Sequence, residues 1–114
     1  AGANHVILSN EIASLVASEY IGQPVAFEVI DDILLNNEGA IMDEIEILDN
    51  SYYINYYLKD IDLSKFNLTL IGIIDSQNRK KFTFNPNKQQ YKIKAKDILI
   101  VIGYKDSITK LKVE

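Results

Sequence analysis

Ile98, Leu99, Ile100, Val101 and Ile102 form a run with no polar position, and that run restricts the fold more than any other stretch. A strand at the surface alternates apolar and polar residues. One that is apolar on both faces belongs in the middle of a sheet, covered on both sides. The residues before it read as its partners. Residues 68–75 predict a strand, Ser76, Gln77 and Asn78 a turn, and residues 81–84 a shorter strand. Asn85 and Pro86 then make a corner, because proline holds the preceding residue extended and the Asn side chain bonds nearby backbone. Tyr91 and Ile93 alternate with Lys92 and Lys94. A closing helix is expected over residues 106–112.

The first forty residues have a different period. Residues 3–8 resemble the end of a strand, after which Ser9 or Asn10 can cap a helix, with Glu11 placed near its positive end. Ile12, Leu15, Val16 and Tyr20 recur at helical spacing up to Gly22. Pro24 suits the first turn of a second helix, whose stripe is Val25, Val29, Ile30, Ile33 and Leu34. Gly39 is able to end it with a positive φ. From Ile41 the period becomes two, with Ile41, Asp43, Ile45 and Ile47 on one face and Met42, Glu44, Glu46 and Leu48 on the other. The expectation is an α+β fold: a helical hairpin, unable to bury its stripe alone, followed by a compact lobe with a mainly antiparallel sheet and short helices.

The 114 residues, 47% apolar and 25% charged, suit one globular domain. The apolar runs are far shorter than the roughly 20 residues that cross a bilayer. With no cysteine, disulfides and thiolate metal sites are excluded. The start, AGANHVIL, has the features of neither an initiator nor a signal peptide, so the chain is expected to be part of a longer protein. Charge is divided unevenly. Residues 1–58 carry ten Asp or Glu and no Lys or Arg, whereas residues 59–114 carry twelve cations and six anions, so −10 and +6 give the net −4. Two readings stand: the halves attract each other, or the basic half faces an anionic ligand. A pI of 4.9 argues against nucleic acid as a partner.

At this point the order of motifs resembles a family. AGANHVILSNEIASLVASEY is similar to the passage GAxxVIxPxxxxGxxLA that leaves the Rossmann lobe of RCK (TrkA-type) domains, the cytoplasmic regulators of potassium channels and transporters. LKDIDLSKFNLTLIGIID resembles their LxELDLxxxxGxxVxxIxR segment, and FNPNKQQYKIKAKDILIVIG their NPxxxxxIxxGDxLxVxG ending. The resemblance implies that residues 1–38 are the end of a Rossmann lobe plus a crossover helical hairpin, and residues 39–114 the C-terminal regulatory lobe. It also implies a homodimer, forming a ring in the full-length protein. That ring would sit at the inner face of the membrane on a pore or transporter subunit, controlling its gate by ligand binding. Some members bind cyclic di-adenosine monophosphate, which on this chain implies a ligand face of Leu70, Ile71, Asn85 and Pro86. Three places depart from the pattern: Tyr53, Ile54, Asn55, Tyr56 and Tyr57 stand where the family often has a Gly before LxELDL, Lys96 where it has Gly, and Asp75 where it has a basic residue.

Each candidate has a plainer reading beside it. Asn85 and Pro86 make a turn in any case, and Leu70, Ile71 and Ile73 read equally as core. Dimer contacts are expected from Ile71 and Ile73 and, on the hairpin, from Leu15, Val16, Val29 and Ile33, with Ile71→Asp expected to weaken the dimer. Glu44 and Glu46 share a strand face and could take a divalent cation if Asp31, Asp32 or a second copy contributed; otherwise they form a solvated acidic edge. Tyr52 and Tyr56, like Tyr53 and Tyr57, are spaced as on a helix, for packing, an interface or stacking on a base. His5, the only histidine, has no nucleophile nearby, and no P-loop, GxGxxG or HExxH is present. No catalytic residue is assigned, no cofactor is named, and the chain is expected not to be an enzyme. Alternatives to ligand sensing are a purely structural ring-assembly module and a regulatory domain of a cation/proton antiporter.

Overall fold

The computed structural model describes residues 6–112; the first part of the expected strand over 3–8, and His5 with it, lie outside the described residues. β1 (Val6–Ile7) leads into α1 (Asn10–Gly22) and α2 (Pro24–Asn36). β2 (Ala40–Glu46), β3 (Thr69–Ile74), β4 (Phe82–Phe84) and β5 (Ile98–Tyr104) follow, and α3 (Lys105–Lys112) closes the chain. Two short 3-10 helices, Leu58–Asp60 and Leu63–Phe66, lie between β2 and β3. The sheet order is β1-β2-β5-β3-β4, so the apolar run occupies its centre. β2, β5, β3 and β4 are antiparallel neighbours, and β1 adds to β2 in parallel.

Local chemistry accounts for the hairpin. The Ser9 hydroxyl accepts from the Ile12 N–H at 3.3 Å, capping α1. Pro24 opens α2 where its missing N–H has no helical partner to lose. Gly39, at φ +88°, turns the chain from α2 into β2. Ile12, Val16, Phe27, Ile30 and Leu34 of the helices then cover Met42, Ile74, Phe82, Ile98, Ile100 and Ile102 on one face of the sheet. Phe27 is fully buried, its ring 4.8 Å from that of Phe84 and 4.9 Å from that of Tyr20.

The opposite face is covered mainly by irregular chain. Ile41, Ile45, Ile73, Leu99 and Val101 pack there with Leu58 of the first 3-10 segment and Ile61 just after it, Ile93 from the long loop, and Ile108 and Leu111 from α3. The two expected faces of β2 are therefore the observed ones. β3 departs from simple alternation. Leu70 pairs with Val101 and Gly72 with Ile100, leaving Ile71 as the extra residue of a bulge. The bulge turns Ile71 to the hairpin face, while Leu70 and Ile73 face the loops. Gly72 has no side chain because the Phe82 ring and the Thr83 carbonyl approach it too closely for a Cβ.

Two sequence expectations need correction. Residues 52–55 form turns rather than a helix, and the rings of Tyr52, Tyr53 and Tyr56 meet there at centroid distances of 5.3–6.0 Å. The alternation at Tyr91 to Lys94 yields a single isolated antiparallel bridge, between Tyr57 and Lys92, flanked by backbone bonds from the Leu58 N–H to the Tyr91 carbonyl and from the Ile93 N–H to the Tyr56 carbonyl, and it does not extend into a strand of the sheet.

Candidate functional site

The β3–β4 end of the sheet holds most of the residues that the sequence singled out. Asn85 adopts a left-handed conformation, φ +50°, and its N–H donates to the Ile71 carbonyl at 3.0 Å, so the corner folds back onto the bulge. Asn tolerates that conformation better than most residues. Pro86 is buried and Asn85 exposed. Ile71, Asn85 and Pro86 are thus brought together, whereas Leu70 is turned to the opposite face, where it lines a different groove.

That groove, about 430 Å³, runs between the two 3-10 segments and β3, and is lined by Leu58, Ile61, Leu63, Leu68 and Leu70 with Ser64, Thr69, Lys59 and Lys88. The Lys59 N–H donates to the Lys88 carbonyl at 3.0 Å, which sets two lysines from distant parts of the chain side by side. Both are exposed, and neither ammonium has an ion-pair partner among the described residues. Asp62, the one carboxylate in the wall, is engaged with Ser64 Oγ at 2.6 Å and the Lys65 N–H at 3.3 Å, and these bonds hold it below the usual carboxylate range. Nothing in the local sequence marks Lys59 and Lys88 as a pair, since only the fold closes the 28 positions between them.

At the other end of β3, where the chain turns toward β4, lies a polar clip. Asp97, fully buried, accepts from the Ser76 N–H (2.8 Å), the Lys94 N–H (2.8 Å) and the Tyr91 hydroxyl (2.9 Å). Lys94 Nζ reaches Tyr91 Oη at 3.0 Å and Asp75 Oδ1 at 3.2 Å, and lies 4.6 Å from the centre of the Tyr91 ring. Burial, then the bond to Asp97, pushes the Tyr91 phenol far above its ordinary value. Burial raises Asp75, but the Gln77 N–H and Lys94 outweigh it and the net shift is downward. The negative charge at Asp75, where a basic residue was anticipated, is therefore countered by Lys94. Lys96 sits at φ +70°, the conformation that the family's glycine at this position would adopt without strain.

The remaining candidates are scattered. Ile73 is 1% exposed and Ile71 5%, on opposite faces of one sheet, and both are occupied within the chain's own core. A charge at Ile71 would thus report on folding before it reported on a dimer. Val16 is buried and Leu15 and Ile33 are partly so, while Val29 is 61% exposed. Glu44 is approached by Ser9 Oγ at 3.4 Å and Glu46 by Arg79 at 3.9 Å. Among the described residues, no three metal-ligating side chains converge, so neither Asp31 nor Asp32 completes a set with them. Two ion pairs, Arg79–Glu46 and Lys112–Asp43, join the acidic and basic halves.

The family model for the TrkA-C domain matches residues 42–113, more than half of the chain. The chain belongs to the TrkA-C family and is, like the family, a non-catalytic regulatory domain of the RCK C-terminal type. Among solved structures, the RCK C domain of the potassium transport protein KtrA, in complex with cyclic diadenosine monophosphate, superposes with a TM-score of 0.59 at 21% identity, covering 78% of this chain and 98% of that one. BusR of S. agalactiae, in complex with its busAB-promoter DNA, gives 0.54 at 17% identity over 90% of this chain, and the RCK domain of GsuK 0.54 at 14% over 86%. At these identities the likeness is one of fold. This chain spans about half of the BusR chain (52%) and a fifth of the GsuK chain (20%). No curated protein matches it. The BusR structure holds promoter DNA, so an acidic pI does not by itself exclude nucleic acid as a partner of a protein with this fold. Among the described residues, no helix is long and apolar enough to cross a membrane.

Proposed function

We propose that this domain is the cytoplasmic ligand-sensing lobe of a potassium channel or potassium transport regulator, and that its ligand is an anionic nucleotide of the cyclic di-adenosine monophosphate class. The observation that carries the reading is the groove of about 430 Å³ beside Leu70, flanked by two unpaired lysines. Its size falls within the roughly 300–1,000 Å³ usual for small-ligand sites, and Lys59 and Lys88 supply the charge that phosphates need. KtrA, of the same fold, was solved with such a nucleotide. Leu70 contributes an apolar wall to the ligand, whereas Ile71, Asn85 and Pro86 do not line this groove and hold the corner beside it. A ligand that prefers one arrangement of two copies shifts the population toward it, and the gate follows by the difference in affinity.

Calorimetric titration with cyclic di-adenosine monophosphate tests this directly. Binding to the wild-type chain, at least tenfold weaker in a Lys59→Ala/Lys88→Ala double variant and weaker at higher salt, is the expected result. A titration with no heat and no thermal shift would refute it.

A second reading, assembly without a ligand, is favoured by the hairpin's outer surface. Ile21, Val25 and Val29 are 83%, 76% and 61% exposed and succeed one another at four-residue spacing. A second copy of the domain covers this stripe in that reading, with the antiporter setting equally served. Val25→Asp/Val29→Asp should lower the mass seen by light scattering while leaving the fold intact, and an unchanged dimer would dismiss the stripe as the contact.

A further inference from the structure

The loop face holds a second, smaller cavity, about 230 Å³, between the end of β2, the turn over residues 48–53 and the end of α3. Its floor is Ile45, Ile47, Ile61, Leu99 and Leu111, none more than 7% exposed. Its mouth carries charges of both signs, Glu46 and Lys112, with Asn50 and Ser51 beside them. Apart from Ile61, no residue that lines the groove at Leu70 lines it.

Size and charge restrict what fits. An enclosed apolar cavity of roughly 150 Å³ takes a benzene-sized body, so about 230 Å³ leaves room for such a body and a short polar head. A dinucleotide is far too large. An uncharged hydrocarbon would leave both ionic groups without use. The existing partners of those groups are weakly held: Glu46 lies 3.9 Å from Arg79 and Lys112 Nζ 3.4 Å from Asp43 Oδ2, and the side chains of Glu46, Arg79 and Lys112 are each more than two-fifths exposed. Exposed pairs of this kind contribute little, so re-partnering costs little.

We propose that this cavity binds a small zwitterion with a branched or aromatic apolar body, the class of the free apolar amino acids. The body fills the space over Leu99 and Leu111, the carboxylate faces Lys112, and the ammonium faces Glu46. The lobe then carries two ligand sites of different chemistry on one face of one sheet.

The test is thermal unfolding and calorimetry of the full 114-residue chain with L-leucine, L-isoleucine and L-phenylalanine, alongside two half-ligands, 4-methylpentanoate and 3-methylbutylamine. At least one amino acid should bind at millimolar concentration or below, at least tenfold tighter than either half-ligand. Glu46→Gln should remove that advantage over the carboxylate, and Lys112→Met the advantage over the amine, with circular dichroism unchanged in both. No binding by any of the three, half-ligands as good as the zwitterion, or affinities unaltered in both variants would overturn the proposal. The nucleotide titration has no bearing on this outcome, because Glu46 and Lys112 lie outside that groove.

Discussion

On the hairpin face, Ile98, Ile100 and Ile102 meet two helices whose backbone groups are satisfied within themselves. On the loop face, Leu99 and Val101 meet turns, short 3-10 segments and one two-turn helix, whose backbone groups must find partners case by case. The difference shows in how each side is held. The hairpin side is almost entirely hydrocarbon with a run of three rings, Tyr20, Phe27 and Phe84. The loop side needs Asp97 to gather three donors and four residues at positive φ, namely Asn55, Asn67, Asn85 and Lys96, to turn the chain. The groove at Leu70 and the cavity beside Lys112, each with charged side chains in its lining, open on this side, whereas the gap of about 180 Å³ under the hairpin is lined almost wholly by hydrocarbon. One face supplies cohesion and the other supplies sites.

Substitutions on each face put this contrast to the test. Phe27→Ala should cost about 3–5 kcal/mol by leaving a cavity at the centre of the hairpin core. Denaturant unfolding measures it, and a loss below about 1 kcal/mol would show that the hairpin adds little cohesion. Asp97→Asn should cost about 3 kcal/mol, because donors built around a carboxylate then face an amide. Hydrogen exchange in that variant should accelerate around residues 76–78 and 91–97 while α1 and α2 keep their protection; uniform acceleration would contradict the independence of the two faces. Lys96→Gly should stabilise by about 1 kcal/mol, relieving a residue held in the left-handed region at φ +70°, and would appear as a rise in Tm of a few degrees.

The smallest effects are those of pH. The Tyr91 phenol is raised above its ordinary 10.0, so the folded state favours the protonated form. Its contribution is complete below pH 10 and is lost as pH climbs past that value. Tyr91→Phe should flatten the alkaline limb of a stability profile. Asp75 is shifted the other way, below 3.8, so its contribution is present above that pH and fades as pH falls beneath it. Asp75→Asn should remove that part of the acid limb, and an unchanged limb would mean that Lys94 does not stabilise the carboxylate.

Much of the fold was legible because it rests on period. The apolar run at 98–102 announced the central strand, the 3.6 spacing around Ile12 and Val16 announced α1, and the period of two after Ile41 divided β2 correctly between the faces. The order of motifs pointed to the RCK type, and the match over residues 42–113 bears that out. The site was less legible. Ile71 and Asn85 were named from the resemblance, but the bulge that separates Leu70 from Ile71 leaves no mark in TLIGII. Tyr52 and Tyr56 meet as their spacing suggested, yet on turns, since positive φ at Asn55 interrupts any helix there.

Local pattern, then, determined the helices, the strands, their faces and the family, because side-chain period and capping act over a few residues and can be read along the chain. The pairing of Lys59 with Lys88, the closure of Asp97 on Ser76 and Tyr91, and the meeting of Glu46 with Lys112 at one mouth were decided only by tertiary structure. Each joins residues through contacts of the folded backbone, and such contacts depend on where the sheet and its loops place atoms in space, which no spacing along the sequence encodes.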